Sequence, residues 1–389
     1  MKVLYGINTN GQGHINRSSV VISQLMKDGH DVHVLLSGKI PPIYAYDISP
    51  IVFYRSGPID FYKDNKMLIR KSLRTNFGKY NEFAKIVKEM VELDRKENFD
   101  FIISDFERTS SLVGKRLNKP VIVIDRQHSL LHPSVVEAPK KNYEMWAVKL
   151  AFSMINPYYY HIYVLDYCYT IDTQDDITLF PLIWKPELEN YKIRTNNHIV
   201  VYLPRSEPNE LIDIFTKFPK ETFYVYGFNV EKQINNVHLK LTSREGFLED
   251  LTSCKAIIGN AGFNLTWEAC LLNKLIWTIP HSNQYEQLAN AFRLQKLNQS
   301  FVSNDFTEID LKNFLEWAKR NDYHSENNLP ILTASDLLTL VYEDLENYES
   351  ENFLTPRQIR QNIKYDVNRW RLRKEIRKEI QVNTSYLEY

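Results

Sequence analysis

At 389 residues the chain is too long for one ordinary hydrophobic core and comfortable for two. Its 48 basic residues cancel its 48 acidic ones, so no global field draws it to nucleic acid or to an anionic membrane, and electrostatic binding has to come from a local patch. Three scattered cysteines, Cys168, Cys254 and Cys270, offer neither a disulfide scaffold nor zinc-ligand spacing, and no apolar run reaches the roughly 18 residues of a membrane span.

Residues 2–7 predict a strand that runs into the loop Asn8-Thr9-Asn10-Gly11-Gln12-Gly13-His14. With a glycine turn following so soon, a secretory leader is not expected and the predicted location is the cytoplasm. Val20, Val21, Leu25 and Met26 follow at helical spacing, and Gly29 marks the end of that helix. Val32–Leu36 is the next expected strand, completing a βαβ unit of the kind that builds parallel sheets. A helix is expected near 76–96, a strand over 99–104, a helix over 109–117 and a strand over 121–124. After a less regular stretch, 170–197, a second series begins. Strands are expected at 198–203, 222–226, 237–241, 256–258 and 275–279, with helices near 208–217, 245–252, 263–272 and 284–297. The fold class read from this pattern is α/β, with two doubly wound, Rossmann-like domains facing across a cleft. The expected division is 1–180, 181–350 and a basic helical tail, 351–389. That tail carries an apolar stripe (Ile359, Ile363, Val367, Trp370) and reads either as a helix packed across the domain junction or as a contact for anionic lipid.

The first glycine-rich turn invites a dinucleotide-binding reading, which the residues contradict. Gly11 and Gly13 supply G-x-G, but Asn16 stands at the third glycine position, and no acid ends the second strand to hold a ribose. What remains is a glycine turn presenting His14 at a helix N-terminus, where a neutral imidazole can serve as a general base. Asp105, at the carboxyl end of an apolar strand, reads in two ways. It can orient and steady the imidazole, as in the His–Asp half of a triad, or it can cap the next helix.

The richest stretch is Ile258 to Glu268, where a strand passes through Gly259-Asn260-Ala261-Gly262 into a helix. Backbone N–H groups of 262–264 there form an anion site suited to a pyrophosphate. Beyond Pro280, adjacent Glu286 and Gln287 offer acceptors and donors that suit a ring of hydroxyls.

Gly262 with Glu268, then Pro280, then Glu286-Gln287-x-x-Asn290-Ala291 resembles the donor signature of GT-B glycosyltransferases of the family 1 and family 28 type. The likeness extends to UDP-sugar-dependent small-molecule transferases and to the bacterial N-acetylglucosaminyltransferase of peptidoglycan synthesis. Gly11-x-Gly13-His14-x-x-Arg17 is similar to their Gly-His turn, and Ser104-Asp105-Phe106 to the place where plant relatives keep the aspartate of the base dyad. The resemblance covers roughly 1–130 and 195–302. It implies His14 as catalytic base, Asp105 as its partner, and a nucleotide-sugar co-substrate, UDP-linked, with inversion and with neither metal nor cofactor. Glu268 is implied on the ribose, Glu286 and Gln287 on the donor sugar with Gln284 and Asn290 beside them, and Phe247 near the base. Gly262, Phe263 and Asn264 are implied on the diphosphate with Arg205 aiding, and Gly11, Gly13 and Arg17 near the acceptor. Three positions depart from the relatives. Asn260 replaces a phosphate-contacting histidine, Gln284 an aspartate, and Arg17 a proline of several branches.

The expected acceptor is a hydroxyl, on a cell-envelope glycan or a lipid-linked or phosphorylated carrier at the inner face of the membrane. Lys63, Lys66, Arg70, Lys71, Arg74 and Lys79 read either as its seat or as a solvated helix face. Two other readings stay open on the same scaffold: a nucleotide-sugar 2-epimerase and a non-catalytic sugar-nucleotide-binding protein. Glycosylation of nucleic acid is disfavoured by net neutrality.

Overall fold

The computed structural model describes residues 1–58, 62–63, 66–67, 74–76, 78–135, 155–241, 243–281, 284–323 and 329–348. The basic tail 351–389, with its expected helix, and Arg70 and Lys71 of the basic segment lie outside the described residues.

The N-terminal half begins with β1 (Lys2–Asn8), α1 (Gln12–Lys27), β2 (Asp31–Gly38) and β3 (Ile51–Ser56), followed by the short hairpin β4 (Tyr62–Lys63) and β5 (Lys66–Met67). It continues through α2 (Tyr80–Glu97), β6 (Phe101–Asp105), α3 (Arg108–Leu117), β7 (Val121–Asp125), β8 (His161–Leu165), β9 (Asp172–Gln174) and β10 (Ile177–Phe180). Eight of these strands form one sheet in the order β3-β2-β1-β6-β7-β8-β10-β9, parallel except for β9. Val3, Leu4, Tyr5 and Ile7 of β1 are all fully buried, so the strand carries no polar face. A sheet covered by helices on both sides requires this of its central strands.

The C-terminal half follows the same plan. After β11 (Leu182–Ile183) come β12 (His198–Tyr202), α4 (Pro208–Phe215), β13 (Thr222–Tyr226), β14 (Lys232–Ile234), β15 (Val237–Leu239) and α5 (Arg244–Ser253). Then follow β16 (Ala256–Gly259), α6 (Phe263–Leu271), β17 (Leu275–Thr278), α7 (Tyr285–Lys296), β18 (Ser300–Val302), α8 (Glu308–Arg320), β19 (Ile331–Leu332) and α9 (Ala334–Glu346). Its seven-stranded sheet runs β14-β15-β13-β12-β16-β17-β18. The fold is thus α/β with two parallel-dominated sheets flanked by helices.

Each sheet reverses its winding once. The chain leaves β1 for β2 on one side, while β6 lies on the other; β12 has β13 on one side and β16 on the other. Loops at the carboxyl ends of such strand pairs part to leave a crevice. In this chain those loops hold residues 8–14 and 105–107 in the first sheet, and 202–206 and 260–262 in the second.

β11 and β19 pair in parallel, and the Trp184 N–H donates to the Leu332 carbonyl at 2.7 Å. α9, opened by a Thr333–Asp336 capping box, then returns to the N-terminal sheet. There the Tyr163 hydroxyl donates to the Asp344 carboxylate at 2.6 Å and to the Leu340 carbonyl at 3.0 Å, and Leu337, Leu338 and Val341 are fully buried.

Candidate active site

A cavity of about 370 Å³ opens between the two switch points, lined from both halves of the chain. On the N-terminal wall stand Gly11, Gly13, His14, Arg17 and Gln127; on the opposite wall Tyr202, Arg205, Asn260, Gly262–Leu265, His281, Glu286 and Gln287 contribute. Gly13 faces the Asn264 side chain, and a Cβ at Gly13 would stand 3.9 Å from both amide heavy atoms. The N-terminal ends of α1 and α6 therefore approach one another across the cavity.

On the N-terminal wall the expected pair is formed. His14 Nδ1 lies 2.8 Å from Asp105 Oδ1. Arg17, one turn further along α1, donates from Nε to Oδ2 at 3.1 Å and from Nη2 to Oδ1 at 2.5 Å, and the Ser18 hydroxyl donates to Oδ2 at 2.8 Å. Arg17 Nη2 also stands 3.1 Å from His14 Nδ1. One nitrogen cannot both donate to the carboxylate and accept from the guanidinium. The shorter distance to a charged acceptor assigns the proton to Nδ1, which leaves Nε2 as the acceptor. Burial pushes the Asp105 carboxyl up, but Arg17 and then His14 outweigh it and hold it below its ordinary value. A fully buried carboxylate thus remains ionised.

The capping alternative for Asp105 is not what the chain adopts. Glu107 caps α3, its carboxylate accepting from the N–H groups of Thr109 and Ser110, and Asp105 is left to the imidazole. The turn between them places Phe106 in the left-handed region, at φ 53°, a conformation that costs a bulky residue energy and accompanies functional sites. There the Phe106 ring stacks on His14, centroids 5.9 Å apart and planes within 7°.

The opposite wall is built from backbone and small residues. Gly262 at the N-cap of α6 makes no side-chain cap bond, so the first N–H groups of α6 have no side-chain acceptor at the cap position. Phe263 turns inward against Tyr167 and Trp267. The Asn260 side chain donates to the Ile279 carbonyl at 2.8 Å, and Gln287 Oε1 accepts from the His281 N–H at 3.0 Å. These bonds fix the two loops to one another. Burial, then the Arg205 charge, lowers the His281 imidazole below its usual value.

Five expected residues do not line the cavity: Asp105, fully buried behind His14, and Phe247, Glu268, Gln284 and Asn290. Phe247 packs on Tyr202, which does line it, at 6.0 Å between centroids. Gln284 occupies the N-cap of α7 without a capping bond. Six positions beyond Gly262 on a helix is 600°, so Glu268 faces away from the Gly262 side of α6. It is 2 % exposed, and its Oε1 accepts from Lys185 and from Arg244, each at 2.7 Å. Burial raises the Glu268 carboxyl, but these two cations more than offset it and hold it low. Asn290 is fully buried and joins the two halves: its amide donates to the Ala261 carbonyl and accepts from Arg126 Nη2, both at 3.0 Å.

Sequence reasoning missed Tyr202, Gln127 and His281 of the cavity wall and the buried cluster behind it. In that cluster Asp166 accepts from Arg126 and Arg293, and both guanidiniums lie over the Tyr167 ring. An arginine after a strand is indistinguishable in sequence from a surface cation, so only Asn290 carried a signal. Asp172 begins β9, and Asp175 and Asp176 form the turn to β10. Among the described residues no group of three or more His, Cys, Asp or Glu is placed to hold a metal ion, and no helix is long and apolar enough to cross a membrane.

The family model of glycosyl transferase family 1 matches residues 1–318. Among solved structures, the chain is similar to the kitacinnamycin glycotransferase, with a TM-score of 0.61 at 12 % identity over 89 % of this chain and 95 % of that one. The spinosyn rhamnosyltransferase SpnG complexed with thymidine diphosphate matches with a TM-score of 0.58 at 13 % identity, over 88 % and 100 % of the two chains. MurG of Acinetobacter baumannii matches with a TM-score of 0.56 at 13 % identity, over 88 % and 99 %. These likenesses are of fold, and they place the chain among GT-B structures. No curated protein matches the sequence.

Proposed function

Because the chain belongs to glycosyl transferase family 1, we propose that it transfers a sugar from a UDP-linked donor to an acceptor hydroxyl, with inversion and without a metal ion. The observation that carries this reading is the placement of the His14–Asp105 pair and the α6 N-terminus on opposite walls of one cavity. His14 Nε2 takes the proton of the acceptor hydroxyl while that oxygen attacks the anomeric carbon from the N-terminal side. The bond from the anomeric carbon to the diphosphate breaks, and its electron pair leaves with the diphosphate oxygen. Negative charge developing there meets the N–H groups at the start of α6 together with Arg205 and His281. Glu286 and Gln287, on the same wall, are the proposed ligands of the sugar hydroxyls. For Glu268 to hold the ribose, Arg244 has to leave Oε1. The Arg244 side chain is 42 % exposed, that of Lys185 1 %.

The proposed acceptor carries an apolar portion, and contact with the inner face of the membrane is part of the same reading. Its support is a rim of exposed apolar side chains in the loop after β2, where Ile40 and Ile43 are 83 % and 84 % exposed and Tyr44 and Tyr46 stand beside them. That loop is bonded to the catalytic turn, since the Thr9 hydroxyl donates to the Lys39 carbonyl at 2.6 Å.

The test is a panel of UDP- and dTDP-sugars, scored by thermal shift and by nucleotide release in the presence and absence of EDTA. The expected result is stabilisation by one donor class and turnover that survives EDTA. Turnover abolished by EDTA would overturn metal independence, and absence of binding by every nucleotide sugar would overturn the donor site.

A further inference from the structure

The proposed base does not stand beside its aspartate alone. Arg17 is 2 % exposed and grips both oxygens of Asp105 as a fork while its Nη2 lies 3.1 Å from His14 Nδ1. A carboxylate buried this completely needs a compensating charge, and a guanidinium fork matches it geometrically. The other groups facing the cluster leave this balance in place. Tyr5, from β1, keeps its phenol proton, because burial and then Asp105 push that group up. Asp125, from β7, is bonded by the N–H and Nδ1 of His128. Gln127, whose Oε1 is 3.5 Å from Arg17 Nη2, is uncharged. Across the cavity, Arg205, His281 and Glu286 line the far wall.

With His14 neutral, the trio Asp105, Arg17 and His14 carries no net charge; once His14 holds the acceptor's proton it carries one positive charge. A His–Asp pair without the arginine would instead pass from one negative charge to none. We infer that Arg17 is a positioning residue of the base: it fixes the plane of Asp105 against His14 Nδ1 and makes the buried cluster electrically neutral before proton transfer. The inference rests on the reading of His14 as the base. It goes beyond that reading by giving a role in proton transfer to a residue that need touch neither substrate.

The experiment follows the ring resonances of His14 by NMR in the full chain, assigned by their loss in His14→Gln, as pH is varied. Removing the positive charge in Arg17→Gln favours the protonated ring, so its titration midpoint should rise by about one pH unit or more. Arg17→Lys, which keeps the charge, should leave the midpoint near that of the wild type. An unmoved midpoint in Arg17→Gln overturns the inference, because a purely architectural arginine would lower thermal stability without moving it. If Arg17→Gln does not fold, Asp105→Asn and Asp105→Asn/Arg17→Gln decide. The single change strands the guanidinium beside the ring and should lower the midpoint, and the second change should restore it. A midpoint equal in the two overturns the inference. Failure of the base itself is read separately: transfer that survives in His14→Gln removes the base assignment whatever the titrations show.

Discussion

The two walls of the cavity are built on opposite principles. The N-terminal wall is a closed charge cluster, in which Asp105 and Arg17 are almost wholly buried and every oxygen of the carboxylate is engaged. The C-terminal wall is open, with Arg205 and Glu286 exposed and Gly262 uncapped by any side chain. Chemistry that must place one proton acceptor within a fraction of an ångström calls for the first construction. The proposed donor, with two phosphates and a ring of hydroxyls, would be met by many weak contacts of the kind the second construction offers. The contrast predicts that substitutions on the two walls fail differently: on one in rate and stability, on the other in affinity.

The largest expected effect is in rate. His14→Ala should cut transfer by about 10²- to 10⁴-fold while nucleotide binding, measured by calorimetry, stays within a few-fold of the wild type. An equal loss of binding would erase the distinction between the walls. Next comes stability. Asp105→Ala leaves Arg17 buried without its partner, and breaking such a pair costs about 3–5 kcal/mol, readable as a fall in the urea midpoint. The pH dependence sharpens the same point. The folded-state value of Asp105 lies below its ordinary one, so its contribution is complete above the unfolded value, about 3.9, and is lost as pH falls through the folded value. Asp105→Asn should therefore lose less stability than the wild type on acidification below about pH 4; parallel curves would show that folding leaves the Asp105 carboxyl unperturbed. Asn290→Ala, which severs the buried amide between Arg126 and Ala261, should cost about 1–3 kcal/mol and loosen the C-terminal wall without touching His14. The smallest effect on stability is expected for Glu286→Gln. At an exposed position it should stay within about 0.5 kcal/mol, yet raise KM for the sugar nucleotide several-fold with little change in kcat. A fall in kcat alone would place Glu286 in the chemical step instead.

Much of this arrangement was legible before any coordinates. Strands β1, β6, β7, β12, β13, β16 and β17 carry unbroken apolar runs, and β2 one interrupted only by His33, because a strand covered on both faces leaves little place for a polar side chain. The order of their connections then puts the Gly11–His14 turn and Asp105 on one rim. The strands and helices at the margins were harder. β9, exposed at two of its three residues, shows no such run; β3 has one, Ile51 to Tyr54, but no fully buried residue and no motif beside it. α8 and α9 lie past the residues that carry the motifs. In the site, the His14–Asp105 contact was readable because both residues sit at strand or helix ends. The fork of Arg17 was less so, although its i, i+3 spacing from His14 places the two on one face of α1. Glu268 was read by its motif alone, and the turn of the helix, not the motif, decides which way it faces.

The return of α9 to the first sheet has a consequence for how the molecule is made. Synthesis proceeds from the N-terminus, and domains generally fold as they emerge. Here the first sheet to leave the ribosome waits for residues 334–346 before Leu337, Leu338 and Val341 fill its surface and Tyr163 finds Asp344. The second sheet, made later, has all its strands by residue 302. The half that is translated first is the half that is finished last.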